Sequence, residues 1–492
     1  MSITSWHKKS SYGSCFNYTI GGCFFLLSVF TGLVQKHRNG VLIRIYGDSG
    51  IDGVTLEING AGIGVLLSGD TQESDVCGAF INNCNIDGAG TNTFFDYGMF
   101  GSVSGGIIST CRTRDLVIYK CHITALKTVE LLPSRNDYAK VVRNVFETSP
   151  RQMDHHYFGI SRKSLFIEND FIGGIRGFIC QGGFSENWMY QNRTEDVNRA
   201  ANALELYMSE YGRCFWSGYA NSLGENYIEV DKNSDIFKAD SLAFNNRDGA
   251  PISESDKFIC IMDGRGFGQY RKVIGVEENR IILDSPWKVK PDSTTYFTFV
   301  QQTWHSLFVD NGTAMTNGHT QFLWLGGIEN VIAGQSIDLS AGIRLHNHIV
   351  PDKYEHCHIL AFNYILHSQV RASGKGFWFD TCSKDVSKHP SILRTKGVFG
   401  NSVRWNVFDG MHSMHYTKNL PEYVDLVPHA GVAVSGAYNT FANNRIGGYK
   451  TGVKFTDCHS HDNFFEKTVF EDVAVRFGGH GKPIGPDAVH KD

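Results

Sequence analysis

The chain has 492 residues, a formal net charge of −4, 53 Gly and 12 Cys, and it is rich in aromatic residues, with 34 Phe, 20 Tyr and 8 Trp. Its scattered, nearly balanced charge leaves no basic footprint, which argues against nucleic acid as the main partner. No Cys-x-x-Cys pair occurs, so the cysteines define no disulfide framework and are expected to pack as buried free thiols.

From the N-terminus, residues 18–34 are mostly apolar and flanked by Lys8, Lys9, Lys36 and Arg38, which leaves open a signal or anchor segment or an opening strand and cap. A short signature then recurs, an Asn or Cys at the start of an apolar strand: Asn-Cys-Asn-Ile at 83–86, Lys-Cys-His-Ile at 120–123, Arg-Asn-Val-Phe at 143–146 and Glu-Asn-Asp-Phe at 168–171. From Cys121 to Asn144, Asn169 and Asn192 the steps are 23, 25 and 23 residues. Such a period belongs to a solenoid whose units bury their apolar faces against each other. A β-sandwich would show turn signals at closer spacing and no reason for a recurring Asn. The fold class expected is therefore all-β, a right-handed parallel β-helix with a β-rich insertion. Its rung cores should bury Cys84, Cys121, Phe146, Ile167, Phe171, Val407 and Phe470.

The signature disappears between about 193 and 300 and resumes at Glu-Asn-Val-Ile (329–332), Phe-Asn-Tyr-Ile (362–365), Trp-Asn-Val-Phe (405–408) and Asn-Asn-Arg-Ile (443–446). This divides the chain into a cap or signal segment (1–38), a first run of rungs (39–192), an inserted subdomain (193–300), a second run of rungs (301–480) and a tail (481–492). Within the insertion, Thr194, Glu195 and Asp196 followed by spaced apolar residues up to Tyr211 read slightly better as a helix than as strands. Short strands are expected at 227–230, 257–262, 270–276, 280–283 and 296–300. The glycines of Asp263-Gly-Arg-Gly-Phe-Gly-Gln-Tyr-Arg271 precede a strand, not a helix N-terminus, which argues for a structural turn rather than a phosphate loop. Trp287 is expected to pack the insertion against the rungs.

That stretch, together with Asp284-Ser-Pro-Trp-Lys-Val-Lys-Pro-Asp292, resembles a pattern in secreted bacterial proteins of the pectate-lyase-like right-handed β-helix superfamily. The resemblance implies the fold far more than the activity, because that superfamily includes lyases, glycoside hydrolases, epimerases and tailspikes. Relatives often carry an acidic residue ahead of the Ala-Leu of the preceding segment, where this chain has Asn202, with Glu205 nearby.

An extended polysaccharide or surface glycan is the expected partner, acted on by lyase or glycoside hydrolase chemistry, with a non-catalytic adhesive or tailspike-like protein as the alternative. Secretion or cell-surface display is the matching location, and the oligomeric state stays open. Lyase chemistry needs a base and a cation on the uronate carboxylate, supplied by Arg or by Ca²⁺. Asp154, His155, His156, Arg162 and Lys163 fall within one rung for that purpose. Hydrolysis needs two carboxylates across a groove, for which Glu168 and Asp170, Glu195 or Glu205, and later Asp380 and Asp409 are candidates. No cofactor is required by the sequence, and the paired imidazoles at His346/His348 and His356/His358 lack further ligands at metal spacing. The best-supplied groove combines Asp154, His156 and Arg162 with Gln321, Glu355 and His358, alongside Glu205.

Overall fold

The computed structural model describes residues 18–20, 41–58, 62–69, 75–88, 105–131, 135–148, 155–173, 176–181, 185–195, 205–210, 214–232, 256–314, 320–340, 342–350, 356–357, 359–372, 377–382, 395, 397–410, 430–456 and 460–488. It divides into two compact units, Met1–Ile179 with Trp188–Leu204, and Cys180–Asn187 with Glu205–Asp492.

In the first unit the chain winds as a parallel β-helix. Sheet A contains Val41–Ile45, Ile63–Leu67, Gly105–Ser109, Lys127–Leu131 and His155–Tyr157. Sheet B stacks Gly50–Asp52, Phe80–Asn82, Val117–Tyr119, Lys140–Val142, Leu165–Ile167 and Trp188–Tyr190. Sheet C stacks Thr55–Glu57, Asn85–Asp87, His122–Thr124, Val145–Glu147, Asp170–Ile172 and Arg193–Glu195. The ladders are in register, for example Val117 beside Lys140 and Val145 beside Asp170.

The corner between sheets B and C explains the sequence signature. One residue per rung adopts a left-handed conformation there: Lys120 at φ 51°, Arg143 at 57°, Glu168 at 53° and Gln191 at 52°. The next residue, Cys121, Asn144, Asn169 or Asn192, turns its side chain into the core. Asn169 shows why Asn suits the place. Its Nδ2 donates to the Val141 carbonyl at 2.8 Å, and its Oδ1 accepts from the Asn144 backbone N–H at 3.1 Å and from Asn144 Nδ2 at 2.9 Å. A buried polar side chain is tolerated only when its groups are satisfied in this way. Burial of Asn192, and of Asn311 in the second unit, also removes two of the three Asn-x-Ser/Thr sequons from any glycosylating enzyme in the folded protein.

Cys84, Cys121, Phe146 and Phe171 are buried as expected, but Ile167, Val407 and Phe470 are only half-buried. The left-handed residue resets strand alternation, so Phe166 and Phe408 occupy the inward positions instead of Ile167 and Val407. Phe470 lies on Val469–Glu471, the last described strand of its sheet, and no further described strand covers it.

In the second unit, rungs are again parallel, and one corner carries the column Asn330, Asn363, Asn401, Asn439 and Asn463. Each Asn of this column down to Asn439 donates its Nδ2 to the Oδ1 of the next, at 2.9 to 3.0 Å. The insertion is a seven-stranded antiparallel sheet that includes Cys214–Tyr219, Lys257–Asp263, Tyr270–Glu277, Arg280–Leu283 and Tyr296–Gln301. Both ends of the expected helix are strands, Arg193–Glu195 and Glu205–Glu210, and Thr194 is fully buried beside Phe171 in the sheet C ladder, so pairing overrides local propensity. Gly264, Gly266 and Gly268 all have φ between 80° and 87°, and a Cβ on Gly264 would lie 2.3 Å from the Thr294 carbonyl oxygen, which makes this turn structural.

Trp287 does not face the rungs. It packs inside the insertion against Phe297, ring centroids 5.9 Å apart, with the Arg271 guanidinium 5.2 Å over its ring. The contact with the rungs is made by the other face of the sheet, where Phe258, Cys260, Met262 and Tyr296 pack against Ile328, Ile359 and Phe399. Among the described residues no helix is long and apolar enough to cross a membrane.

Candidate functional site

The outward face of sheet C in the first unit gathers the densest polar chemistry whose side chains are described. In each strand the central residue points inward and the first and third point out, giving an outer pair per rung: Thr55 and Glu57, Asn85 and Asp87, His122 and Thr124, Val145 and Glu147, Asp170 and Ile172, Arg193 and Glu195. Parallel stacking places these pairs roughly 4.8 Å apart along the column.

His122 Nε2 lies 3.3 Å from Glu147 Oε2 and 3.5 Å from Thr124 Oγ1. Arg193 reaches Glu195 at 3.0 Å. Between them stands Asp170, in register with Val145 on one side and Arg193 on the other. Asp170 is exposed at the surface, yet partial desolvation among its neighbours raises its carboxyl above the ordinary aspartate value; Arg193 opposes that shift and Glu195 adds to it. A carboxyl shifted upward, with a second carboxylate on the next rung, is the kind of pairing that glycosidic cleavage uses.

The residues singled out from the sequence are placed as follows. Asp154, Glu355 and His358 lie outside the described residues. Glu205 begins the strand Glu205–Glu210, in register with Thr320, and Gln321 follows in Thr320–Leu325. His346 and Asp380 are register partners on adjacent strands, as are His348 and Cys382.

His156 is not in a groove. It is fully buried, its Nδ1 lies 2.6 Å from Thr128 Oγ1, and its ring packs 5.4 Å from Phe171. Tyr157 pairs with Glu130 of the preceding rung, so His156 falls beside the fully buried Val129 on the inward side of sheet A; the register shift against the next strand places its extra residue, Gly177, on that strand and leaves His156 facing the core. Arg162 is taken by Asp137, at 3.2 and 3.3 Å. Glu168 and Asp170 do not share a strand face: Glu168 occupies the left-handed corner, ion-paired to Arg143 at 2.5 Å, and the buried Asn169 separates the two.

His122 and Glu147 were not singled out from the sequence, yet a signal was present. Glu57, Asp87, Glu147 and Glu195 each follow a corner residue, Val54, Cys84, Asn144 and Asn192, at the same offset. A repeat carrying an outward acid at one register predicts a column of carboxylates.

Among the described residues no group of three or more His, Cys, Asp or Glu side chains is arranged to hold a metal ion. No family model and no curated protein matches the chain. Solved structures with a similar path include the A-module of an Azotobacter vinelandii mannuronan C-5 epimerase, AlgE6, at 9% identity and TM-score 0.40, covering 92% of this chain and 88% of that one. The catalytic domain of a GH87 alpha-1,3-glucanase in complex with tetrasaccharides aligns at 9% identity and TM-score 0.39 over 91% of this chain and 63% of that one, less than two thirds of its length. The Agl-KA catalytic domain aligns at 8% identity and TM-score 0.38, covering 89% and 62%.

Proposed function

We propose that this β-helix acts on an extended neutral polysaccharide by glycoside hydrolysis on the outward face of sheet C. Asp170 protonates the leaving oxygen, and Glu195, held by Arg193, supplies the second carboxylate that attacks the anomeric carbon or activates water. The observation that carries this reading is geometric: Asp170 lies in register with Arg193, which is ion-paired to Glu195, on a face with rung-spaced polar groups. A column of that kind suits a chain of sugars better than one small molecule.

Charge favours hydrolysis over the lyase alternative. The face carries Glu57, Asp87, Glu147, Asp170 and Glu195 against only Arg193 and His122, so it repels a polyuronate unless a cation such as Ca²⁺ bridges the two. Secretion or surface display, and membership of the pectate-lyase-like superfamily, belong to the same reading. A panel of neutral and uronic polysaccharides tests it, with reducing ends and 235-nm absorbance read in parallel. Hydrolysis predicts new reducing ends from a neutral polymer, lost in Asp170→Asn and in Glu195→Gln. Absorbance from a polyuronate would establish the lyase instead, and binding without turnover would support the adhesive alternative.

A further inference from the structure

Sheet B in the first unit is exposed on its outer side like sheet C, but its chemistry is opposite. Val117, Val142, Leu165, Ile167, Trp188 and Tyr190 point outward, with Lys140 as the one charged residue on the last four strands. Trp188 is 53% exposed. Branched aliphatic side chains offer a sugar neither a hydrogen bond nor a flat ring, so a glycan is a poor match. The four apolar strands at about 4.8 Å spacing and a width of about 16 Å, rims included, give roughly 300 Å². Two such faces bury roughly 600 Å², the scale of a weak, transient contact rather than of a permanent one.

The rims of this face suggest the occupant. Each of the last four strands is bounded on both sides by a left-handed, non-glycine residue outside the core. On one rim stand Asp115, Tyr138 and Lys163; on the other, at the same levels, stand Lys120, Arg143 and Glu168. Asp115 faces Arg114 at 3.6 Å, the Arg114 guanidinium also lies over the Tyr138 ring, Lys120 lies over the Tyr119 ring and Arg143 pairs with Glu168, so the rim charges also have partners of their own. Level by level, however, the rims are complementary: Asp115 to Lys120, Tyr138 to Arg143 and Lys163 to Glu168.

We propose that sheet B of the first unit docks onto a second copy of this chain, in parallel and at matched rung level, so that the rim of Asp115 and Lys163 on one copy meets the rim of Lys120 and Glu168 on the other. An antiparallel two-fold centred on the middle rung would also pair Asp115 with Lys163 and Lys120 with Glu168, but it opposes Arg143 to Arg143 where the parallel arrangement sets Arg143 on Tyr138.

Sedimentation of the full chain at about 100 µM, well above the micromolar Kd expected of a small interface, tests this. The wild type should sediment as more than one protomer. Leu165→Asp and Trp188→Ser should each return it to protomer mass with an unchanged melting temperature, and Trp188→Ser, at an exposed position, serves if the first variant misfolds. Asp115→Lys should weaken association, and the double variant Asp115→Lys/Lys120→Asp should restore it. A wild type at protomer mass, or face variants that keep the larger mass, would overturn the proposal. A double variant weaker than the single one would overturn the parallel arrangement, and variants that lose glycan binding at unchanged mass would reassign the face to sugar. None of these readouts depends on Asp170, so failure here and failure of the hydrolase reading are separable.

Discussion

The rungs and the insertion solve the same problem, burying a sheet with its polar groups satisfied, in opposite ways. A rung borrows its partners from neighbours far along the chain: Asn169 bonds Asn192 across 23 residues and Asn363 bonds Asn401 across 38. The insertion closes its bonds among its own antiparallel strands and the turns between them, as where Gln269 Nε2 donates to the Val289 carbonyl and Gln269 Oε1 accepts from the Val289 N–H. A rung is thus only as stable as the rungs beside it, whereas the insertion carries an apolar cluster of its own around Phe297 and Phe299. Damage to a rung should spread along a column; damage to the insertion should stay local.

The largest effect is expected at Phe171. Its ring stacks on Phe146 at 5.3 Å and 11° and meets Phe158 and His156 edge-on or tilted, with no exposure. Phe171→Ala should cost about 3–5 kcal/mol through the cavity it leaves. Chemical denaturation gives the number, and an unchanged midpoint would break the column picture.

Lys257 sharpens the insertion's side of the comparison. Burial lowers its ammonium to about 8, with Asp256 opposing the shift. Because the folded pKa lies below the unfolded one near 10.4, the unfolded chain binds more protons between pH 8 and 10.4. Stability therefore rises with pH across that window, and below about pH 8 the folded protein bears the full cost of a buried charge, about 3 kcal/mol by linkage. Lys257→Met should remove this slope. Wild type and variant with parallel stability–pH curves would contradict it.

Asn169→Leu should cost about 2 kcal/mol, less than the aromatic cavity, because it strands the Val141 carbonyl and the Asn144 donors while adding apolar volume. Its amide-exchange signature should appear at Asn144 and Asn192 in the adjoining rungs. An effect confined to Asn169 itself would argue against coupling along the column.

The same contrast explains what the sequence made legible. The period of Cys121, Asn144, Asn169 and Asn192 could be read because a stacked amide column demands one residue type at one place per turn. The insertion's strands could be read because alternation and hairpin signals are local, and Arg280–Leu283 falls where expected. Facing was harder. A single left-handed residue moved Ile167 and Val407 outward and separated Glu168 from Asp170, and pairing in line with Val129 set His156 inward. The carboxylate column was visible in Glu57, Asp87, Glu147 and Glu195, but only once the corner residue, rather than the apolar strand, sets the frame.

The smallest effect is expected at Arg162, whose counterpart in the insertion is Arg271. Arg162 binds Asp137 of the preceding rung through Nε and one terminal nitrogen, with side-chain exposures of 21% and 11%. Arg271 instead donates to the Pro286 carbonyl of its own hairpin at 2.7 and 2.8 Å. A partly exposed bidentate pair contributes little beyond a surface bridge, so Arg162→Ala should cost about 1 kcal/mol, and the loss should shrink as salt is raised. Arg271→Ala removes bonds to a neutral carbonyl and should show little salt dependence. If Arg162 only ties two rungs together, turnover of any polysaccharide that the protein degrades should survive its loss at a temperature where the variant remains folded. A selective fall in kcat with an unchanged melting temperature would instead return Arg162 to the chemistry that its position in the sequence first suggested.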